Sequence, residues 1–168
     1  ILDKAELAGF AKVLPLGALT VGLNGDTLSE MYALKKAGCV AVSQAPNNNL
    51  TSQTLRRALQ YASSHDLLVV LKPEDVSIKD NGCVHDGAMS SKLGLAGIPA
   101  SAETVAIAQI IQLAAETQAR VHLTGISAAK SVAMLARAKF ENIAISADVH
   151  AYQLHLTELD VGTTLANL

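Results

Sequence analysis

The stretch LLVVLKPED, residues Leu67 to Asp75, decides the fold of this chain. Its five consecutive apolar residues are followed by Lys72 and Pro73, and a short apolar run bounded in this way is typical of a strand buried in a parallel sheet. In such folds the chemistry lies at the carboxyl ends of the strands. The sequence therefore predicts that Lys72 lies at the edge of the sheet where a site would form.

Segments with the composition of short strands alternate with helical segments on both sides of this stretch. The predicted strands are 12–19, 39–43, 67–72, 121–124 and 143–147, and the predicted helices begin near Thr27, Thr51, Ser101 and Ser127. This alternation is typical of right-handed βαβ units around a parallel sheet, of which about five are visible. An open doubly wound sheet would be complete in 168 residues, whereas a (β/α)₈ barrel takes roughly 250. The pattern alone leaves both α/β architectures open.

Helical periodicity predicts which side chains face the core and which residues cap the helices. The second helix should bury Leu55, Ala58, Leu59 and Ala62, and the third should bury Val105, Ala108, Ile111 and Ala115. Hydroxyl or carboxylate groups are favoured at helix starts, so Thr27 (in a capping box with Glu30), Thr51, Ser101 and Ser127 are the predicted caps. Residues 73–100 contain glycine and proline without a sustained period, which predicts a long loop.

Composition excludes several classes of protein. Half of the residues are hydrophobic, enough for the core of a single domain. The net charge is −2 with scattered basic residues, and aromatics make up 3%, so neither an electrostatic footprint nor a stacking surface for nucleic acid is expected.

No apolar run approaches the roughly 18 residues of a membrane span. Cys39 and Cys83 lack the spacing of metal ligands, and no signal-peptide pattern is seen, so a cytoplasmic location is expected.

Several segments, taken in order, resemble dihydroorotases of the amidohydrolase superfamily over nearly the whole chain. They are PLGALTVGLNGDTLSEMYALKKAGCVAVS at 15–43, PED at 73–75, GAMSSKLGLAGIPASAE at 87–103, RVHLTGIS at 120–127 and ADVHAYQLHLTE at 147–158. The resemblance implies a metal-dependent (β/α)₈ barrel that interconverts carbamoyl aspartate and dihydroorotate in pyrimidine synthesis. It also implies that residues 1–168 form one domain from the middle of that barrel. We therefore expect association with the rest of the barrel or with a second copy.

Three positions at which the resemblance places metal ligands carry other residues. They are Ala45, Lys72 and Gly125, which stand in place of an aspartate and two histidines. Zinc takes imidazole, thiolate or carboxylate donors, and an ammonium group has no lone pair to give. The sequence therefore predicts no catalytic residue, no cofactor-binding residue and no metal site, although Glu74, Asp75 and His122 match neighbouring positions of the family pattern.

Lys72 has two interpretations. Its ammonium group either neutralises a carboxylate near the barrel mouth, such as Glu74, Asp75 or Asp148, or simply reaches solvent. The second is favoured because lysine is seldom fully buried. His122, on an apolar strand, is expected to be a hydrogen-bonded histidine rather than a metal ligand.

Three functions remain open from the sequence. The favoured hypothesis is a non-catalytic dihydroorotase-like protein that helps aspartate carbamoyltransferase to assemble, a partner implied by the resemblance. The alternative is an active cyclic-amide hydrolase that binds zinc through ligands outside residues 1–168 or uses a single metal ion. The third is an unrelated small doubly wound binding protein, which would be a compact monomer.

Overall fold

The computed structural model describes residues 1–45 and 50–161. The strands in these ranges are β1 Leu16–Ala18, β2 Ala41–Ser43, β3 Leu68–Leu71, β4 Val84–His85, β5 Gly97–Ile98, β6 Arg120–Leu123 and β7 Ile145–Ala147. The α-helices are α1 Leu2–Ala8, α2 Met31–Lys36, α3 Ser52–Ser64, α4 Val76–Lys79, α5 Ala88–Leu93, α6 Ser101–Thr117 and α7 Ala129–Phe140. Among the described residues, no helix is long and apolar enough to cross a membrane.

Five strands form one parallel sheet in the order β1-β2-β3-β6-β7, and β4 and β5 form a separate parallel pair. Each of the five lies within a predicted strand or one residue outside it, so the α/β class is confirmed. The register places one row of residues across the whole sheet, namely Gly17, Val42, Val69, Val121 and Ile145. Because side chains alternate between faces along a strand, this row faces one side of the sheet.

The two faces of the sheet differ sharply in burial. The row through Val69 lies beneath α3, α6 and α7 and forms the hydrophobic core. The next row along the strands, which faces the other side, consists of Ala18, Ser43, Val70, His122 and Ser146 and is partly or fully exposed. One face is therefore dry and apolar, whereas the other is open and carries polar groups.

Helix α3 follows the sequence prediction closely. Its predicted inward residues, Leu55, Ala58, Leu59 and Ala62, are all buried. The Thr51 hydroxyl caps the helix by accepting a hydrogen bond from the Thr54 amide at 3.1 Å. A polar outer face and an apolar inner face leave only one way to pack this helix.

Helix α6 packs on a different face from the predicted one. Its buried residues are Ala102, Ala106, Ile107, Ile110 and Ala114, whereas Val105 is 46% exposed. The predicted stripe of Val105, Ala108, Ile111 and Ala115 was wrong by about one residue. Apolar residues surround much of this helix, so its periodicity allows more than one inward face and contact with the sheet selects between them.

Two predicted caps at the other helix starts were also wrong. Helix α2 begins at Met31 rather than beside Thr27, whose backbone carbonyl instead accepts from the Val21 amide at 2.8 Å. Helix α6 begins at Ser101 itself, after Ala100, and has no side-chain cap. At Thr27 a contact within the loop replaces the predicted cap, since local cap patterns compete with other bonds made by the same residues.

The Ser127 cap prediction was wrong for a tertiary reason. Helix α7 begins at Ala129, and the backbone amide and hydroxyl of Ser127 donate to the carboxylate of Glu103 on α6 at 3.0 and 2.6 Å. The Ala128 amide donates to the same carboxylate at 3.0 Å. A side chain from another helix therefore binds the two backbone amides that immediately precede α7.

The predicted loop at 73–100 contains regular structure. Helices α4 and α5 and the β4–β5 pair all lie within it. Asp75 caps α4, because its carboxylate accepts from the amides of Ser77 and Ile78 at 2.9 and 3.1 Å. Elements of two to six residues are too short to show a hydrophobic period, so the sequence alone could not reveal them.

Truncation of Leu59 tests the packing of α3 on the sheet. Leu59 is fully buried, so Leu59→Ala should lower the free energy of unfolding by about 2–5 kcal/mol. Urea titration followed by circular dichroism measures the change. The neighbouring exposed substitution Gln60→Ala is the control and should stay within about 0.5 kcal/mol of the parent. Equal effects of the two substitutions would contradict this packing.

Candidate functional site

The carboxyl ends of the five parallel strands bring the substituted positions to one edge of the sheet. Ala45, Lys72 and Gly125 follow β2, β3 and β6 respectively. Ala45 and Lys72 line the same cavity of about 100 Å³, together with Glu74 and Gln109. The three positions therefore lie at the edge of the sheet where the sequence predicts a site. What this edge can do chemically depends on the contacts that these residues make.

Gln44, which belongs to no motif recognisable in the sequence, organises the end of β2. Its side chain is nearly buried, and its Oε1 accepts from the hydroxyl of fully buried Thr20 at 2.9 Å. Its Nε2 donates to the Leu23 carbonyl at 2.8 Å. These bonds tie the end of β2 to the loop after β1, and the adjacent Ala45 adds only a methyl group to the edge.

Lys72 and Lys79 hold the carboxylate of Glu74 between them. Lys72 Nζ lies 2.9 Å from Glu74 Oε2, and Lys79 Nζ lies 2.9 Å from Glu74 Oε1. The Lys72 side chain is 39% exposed, whereas that of Glu74 is 13% exposed. The structure supports the interpretation that was not favoured, because Lys72 neutralises Glu74 even though part of its side chain reaches solvent. Asp75 is engaged as the cap of α4.

The pKa of Glu74 lies below its usual value, although two effects oppose each other. Partial burial alone would raise the pKa, but the hydrogen bonds and positive charges of Lys72 and Lys79 together outweigh it. Glu74 is therefore a carboxylate at neutral pH, and both of its oxygens are already paired.

A hydrogen-bonded chain joins the ends of β6 and β7. His122 Nδ1 lies 2.8 Å from Ser146 Oγ, and His122 Nε2 lies 2.9 Å from Asp148 Oδ2. The other oxygen of Asp148 accepts from Thr124 Oγ1 at 3.0 Å and from the Gly125 amide at 2.8 Å. The bond from His122, followed by that from the Gly125 amide, lowers the pKa of Asp148. The prediction of a hydrogen-bonded His122 is confirmed.

Gly125 occupies a position that a side chain would strain. Its φ angle is +73°, and a Cβ built on it would lie 2.6 Å from Nε2 of His150. Only glycine adopts this backbone region without cost. A histidine at this position would require both a strained backbone and displacement of His150.

The remaining histidines are dispersed. His85 Nε2 lies 3.8 Å from Glu158, with its side chain 55% exposed, and the His65 ring stacks on Tyr32 with centroids 4.7 Å apart. Within residues 1–45 and 50–161, no group of three histidine, cysteine, aspartate or glutamate side chains is placed to hold a metal ion.

The donor set at the edge does not fit the metal centre that the family resemblance implies. Zinc needs lone-pair donors, and the three substituted positions present a methyl group, an ion-paired ammonium and a glycine backbone. The positive charge of Lys72 also repels a cation electrostatically.

The fold is that of a partial (β/α)₈ barrel of the amidohydrolase type. The structure is similar to L-hydantoinase from Arthrobacter aurescens, with a TM-score of 0.73 and 19% identity, over 96% of this chain and 38% of that one. A D-hydantoinase structure matches with a TM-score of 0.68, also at 19% identity and with the same coverage of both chains.

Residues 4–131 match the dihydro-orotase-like family, and the chain belongs to that family. It is 42% identical over 158 residues to a dihydroorotase-like protein of Pseudomonas aeruginosa, and 45% identical over 165 residues to one of Pseudomonas putida. It is 39% identical over 158 residues to a dihydroorotase of Desulfotalea psychrophila. These alignments cover 94–96% of this chain but only 37–38% of each relative. The third interpretation, an unrelated doubly wound binding protein, was therefore wrong.

Removal of Lys72 should raise the pKa of Glu74. In Lys72→Met, Lys79 still holds one carboxylate oxygen, so the pKa should rise toward its usual value of 4.5. In the double variant with Lys79→Met, burial acts alone and the pKa should pass above that value. Carbon-detected NMR titration of the Glu74 carboxyl measures both shifts.

The ion pair between Lys72 and Glu74 should also make the free energy of unfolding depend on pH. Because the pKa of Glu74 is lower in the folded than in the unfolded protein, its ionised form stabilises the fold at a pH above the unfolded pKa. The parent should therefore have a larger free energy of unfolding than Lys72→Met above pH 4.5. This difference should disappear as the pH falls through the folded-state pKa of Glu74. Urea titrations from pH 3 to 7 check this. A Glu74 pKa that does not respond to Lys72→Met would contradict the ion pair.

Substitution of Gly125 should lower stability mainly through its backbone conformation, with a smaller contribution from the exposed His150 side chain, which must move aside. Gly125→Ala combines a left-handed backbone, which costs about 1–2 kcal/mol, with crowding against His150. Gly94→Ala is the matched control, because Gly94 has a φ angle of +66° and a Cβ added to it would meet no atom within 4 Å. Thermal and urea unfolding should show the larger loss for Gly125→Ala, and His150→Ala should reduce that difference. Equal losses would exclude the crowding.

Proposed function

We propose that this chain is part of a non-catalytic dihydroorotase-like protein, cytoplasmic and belonging to pyrimidine synthesis, that supports the assembly of aspartate carbamoyltransferase. The proposal has two parts, the loss of metal-dependent ring hydrolysis and the assembly role. The first is argued from the residues at the sheet edge. The second is argued from the family resemblance.

The observation that carries the first part is the Lys72–Glu74–Lys79 group. A lysine stands where the family pattern has a ligand histidine, and its charge is matched by a carboxylate that shares the same edge. Lys72 and Lys79 together neutralise the Glu74 carboxylate, so this carboxylate needs no metal ion as a counter-charge. Gly125 adds to this, because backbone conformation and His150 both oppose a side chain there.

The assembly role is supported by the kind of relative that this chain matches. Two of the matching relatives, both from Pseudomonas, bear the name dihydroorotase-like protein rather than dihydroorotase. At the family level, some bacteria pair an inactive dihydroorotase-like chain with aspartate carbamoyltransferase, which needs it to assemble in active form. A barrel without its hydrolytic centre would be retained for such a partner, and the open edges of the sheet would be closed by the remainder of the barrel.

Zinc content and co-assembly together test the proposal. The full-length protein, purified without chelator and loaded with zinc, should contain only background zinc by elemental mass spectrometry. Co-expression with the catalytic chain of aspartate carbamoyltransferase should produce a larger particle and higher carbamoyltransferase activity than the catalytic chain alone, measured by sedimentation velocity and product formation.

Lys72→Met is the matched control. If the assembly role does not depend on chemistry at the edge of the sheet, this substitution should leave co-assembly unchanged. Stoichiometric zinc together with hydrolysis of dihydroorotate would favour the alternative, an active metal-dependent dihydroorotase. A catalytic chain that assembles in active form by itself would contradict the assembly role even if zinc is absent.

A further inference from the structure

Residues 76–98, which we call the flap, form a unit that stands apart from the main sheet. The chain enters this segment after β3 and leaves it before α6, and the segment contains α4, β4, α5 and β5. No flap residue belongs to the described hydrophobic core or to the partly buried apolar side chains packed against it. Ser90 is the one buried residue of the flap, whereas α3, α6 and α7 each bury several. Because a segment with few buried apolar contacts has low local stability, the core holds the flap only weakly.

Hydrogen bonds and tight packing close the flap on itself. Among the described strands, β4 and β5 pair only with each other, and the Asp86 amide donates to the Ile98 carbonyl at 3.0 Å. A Cβ built on Gly82 would lie 2.6 Å from Ile98, and one built on Gly97 would lie 2.6 Å from Asp86. These contacts all lie inside the flap, so they would survive a movement of the flap as one body.

Polar contacts hold the base of the flap. The Asp75 amide donates to the Ala102 carbonyl at 2.8 Å, which joins the chain just before the flap to the chain just after it. The carboxylate of Asp75 also caps α4. Lys79 on α4 lies 2.9 Å from Glu74, in a pair whose side chains are 22% and 13% exposed. These polar contacts can break and form again without any exposure of the hydrophobic core.

The outer part of the flap has a weak polar contact with the segment that follows β7. His85 Nε2 lies 3.8 Å from Glu158, and both side chains are more than a third exposed, so the pair contributes little to stability. The base, by contrast, lies at β3, the middle strand of the five. Its contacts therefore do not depend on the open edges at β1 and β7, where the remainder of the barrel would join.

The first residue of the flap forms part of the wall of the cavity of about 100 Å³ beside Lys72. Val76 lines this cavity together with Leu71, Ala106 and Ile110. Helix α4, which begins at Val76, packs against α6, which carries Ala106 and Ile110. Movement of α4 away from α6 would therefore remove one wall of the cavity and open it to solvent.

We propose that the flap opens as one body about residues 74–75 and 99–101, while the main sheet and α6 stay folded, and thereby acts as a lid on the cavity beside Lys72. The polar contacts at the base hold it closed. Because the flap shares no residue with the core, its opening exposes little apolar surface. Lids and other moving elements are drawn from the least stable parts of a fold. Such a motion requires neither a metal ion nor the assembly role.

Native-state hydrogen exchange of the full-length protein, followed by mass spectrometry of its peptides, measures this opening. The flap amides should share one opening event and exchange about 100-fold faster than those of β3 and β6. Lys79→Met removes the contact between α4 and Glu74, so it should speed flap exchange about 10-fold, because a hydrogen bond to a charged group contributes at least this much. Exchange in β3 and β6 should not change. Lys92→Met removes a charge from the exposed surface of α5 and is the matched control, which should leave flap exchange unchanged.

Access to the cavity tests the lid itself. In full-length protein whose native cysteines are replaced by serine, Ala106→Cys places a thiol in the cavity wall and Ala114→Cys places one elsewhere on α6. The two alanines are 9% and 1% exposed. An aromatic disulfide reagent too large for the cavity should react with the Ala106→Cys thiol at a rate that follows flap opening, and Lys79→Met should raise this rate by the same factor as flap exchange. The Ala114→Cys thiol should react only when the whole protein unfolds, and its rate should not respond to Lys79→Met.

The outcomes are distinct once circular dichroism shows that each variant is folded. Flap exchange through one opening event, accelerated by Lys79→Met together with the reactivity of the Ala106→Cys thiol, supports the proposal. Flap amides that exchange only with global unfolding, or each at an unrelated rate, would overturn opening as one body. Equal acceleration by Lys92→Met would overturn the role of the base contacts. An Ala106→Cys thiol whose reactivity does not respond to Lys79→Met would overturn the role of the flap as a lid.

Discussion

Parallel pairing in a single register is the constraint on which the rest of this structure depends. It aligns Val42, Val69 and Val121 in one row and buries them under the helices. The same alternation directs Val70, His122 and Ser146 to the opposite face. Because all strands run the same way, the residues that follow them meet at one edge. A register shift of one residue would exchange the two faces.

That edge is held together by side-chain charges and hydrogen bonds. After β3, two ammonium groups compensate one mostly buried carboxylate. On β6 and β7, one carboxylate accepts from a ring nitrogen, a hydroxyl and a backbone amide. A carboxylate near a barrel mouth is costly to bury unless it is paired or hydrogen-bonded. Metal ions meet this need in many enzymes, whereas lysine, histidine and backbone donors meet it here.

Parts of the fold could be predicted because local signals and packing agree. The apolar run before Lys72, the Thr51 cap and the inward face of α3 each have one physical solution. Elsewhere local signals were ambiguous. Helix α6 is apolar on more than one side, Ser127 finds a partner on another helix, and the elements between 73 and 100 are too short to show a period.

The sequence by itself determined which chemical groups stand at the ends of the strands. Ala45, Lys72 and Gly125 replace donors with groups that cannot bind zinc, a property of the residues that needs no coordinates. Only the tertiary structure decided which groups meet. Lys79, on α4, pairs with Glu74, which lies between β3 and α4. Ser146 meets His122, 24 residues away, because β6 and β7 pair in register. Such contacts depend on the distances between residues in the folded chain. These distances cannot be read from the order of the residues alone.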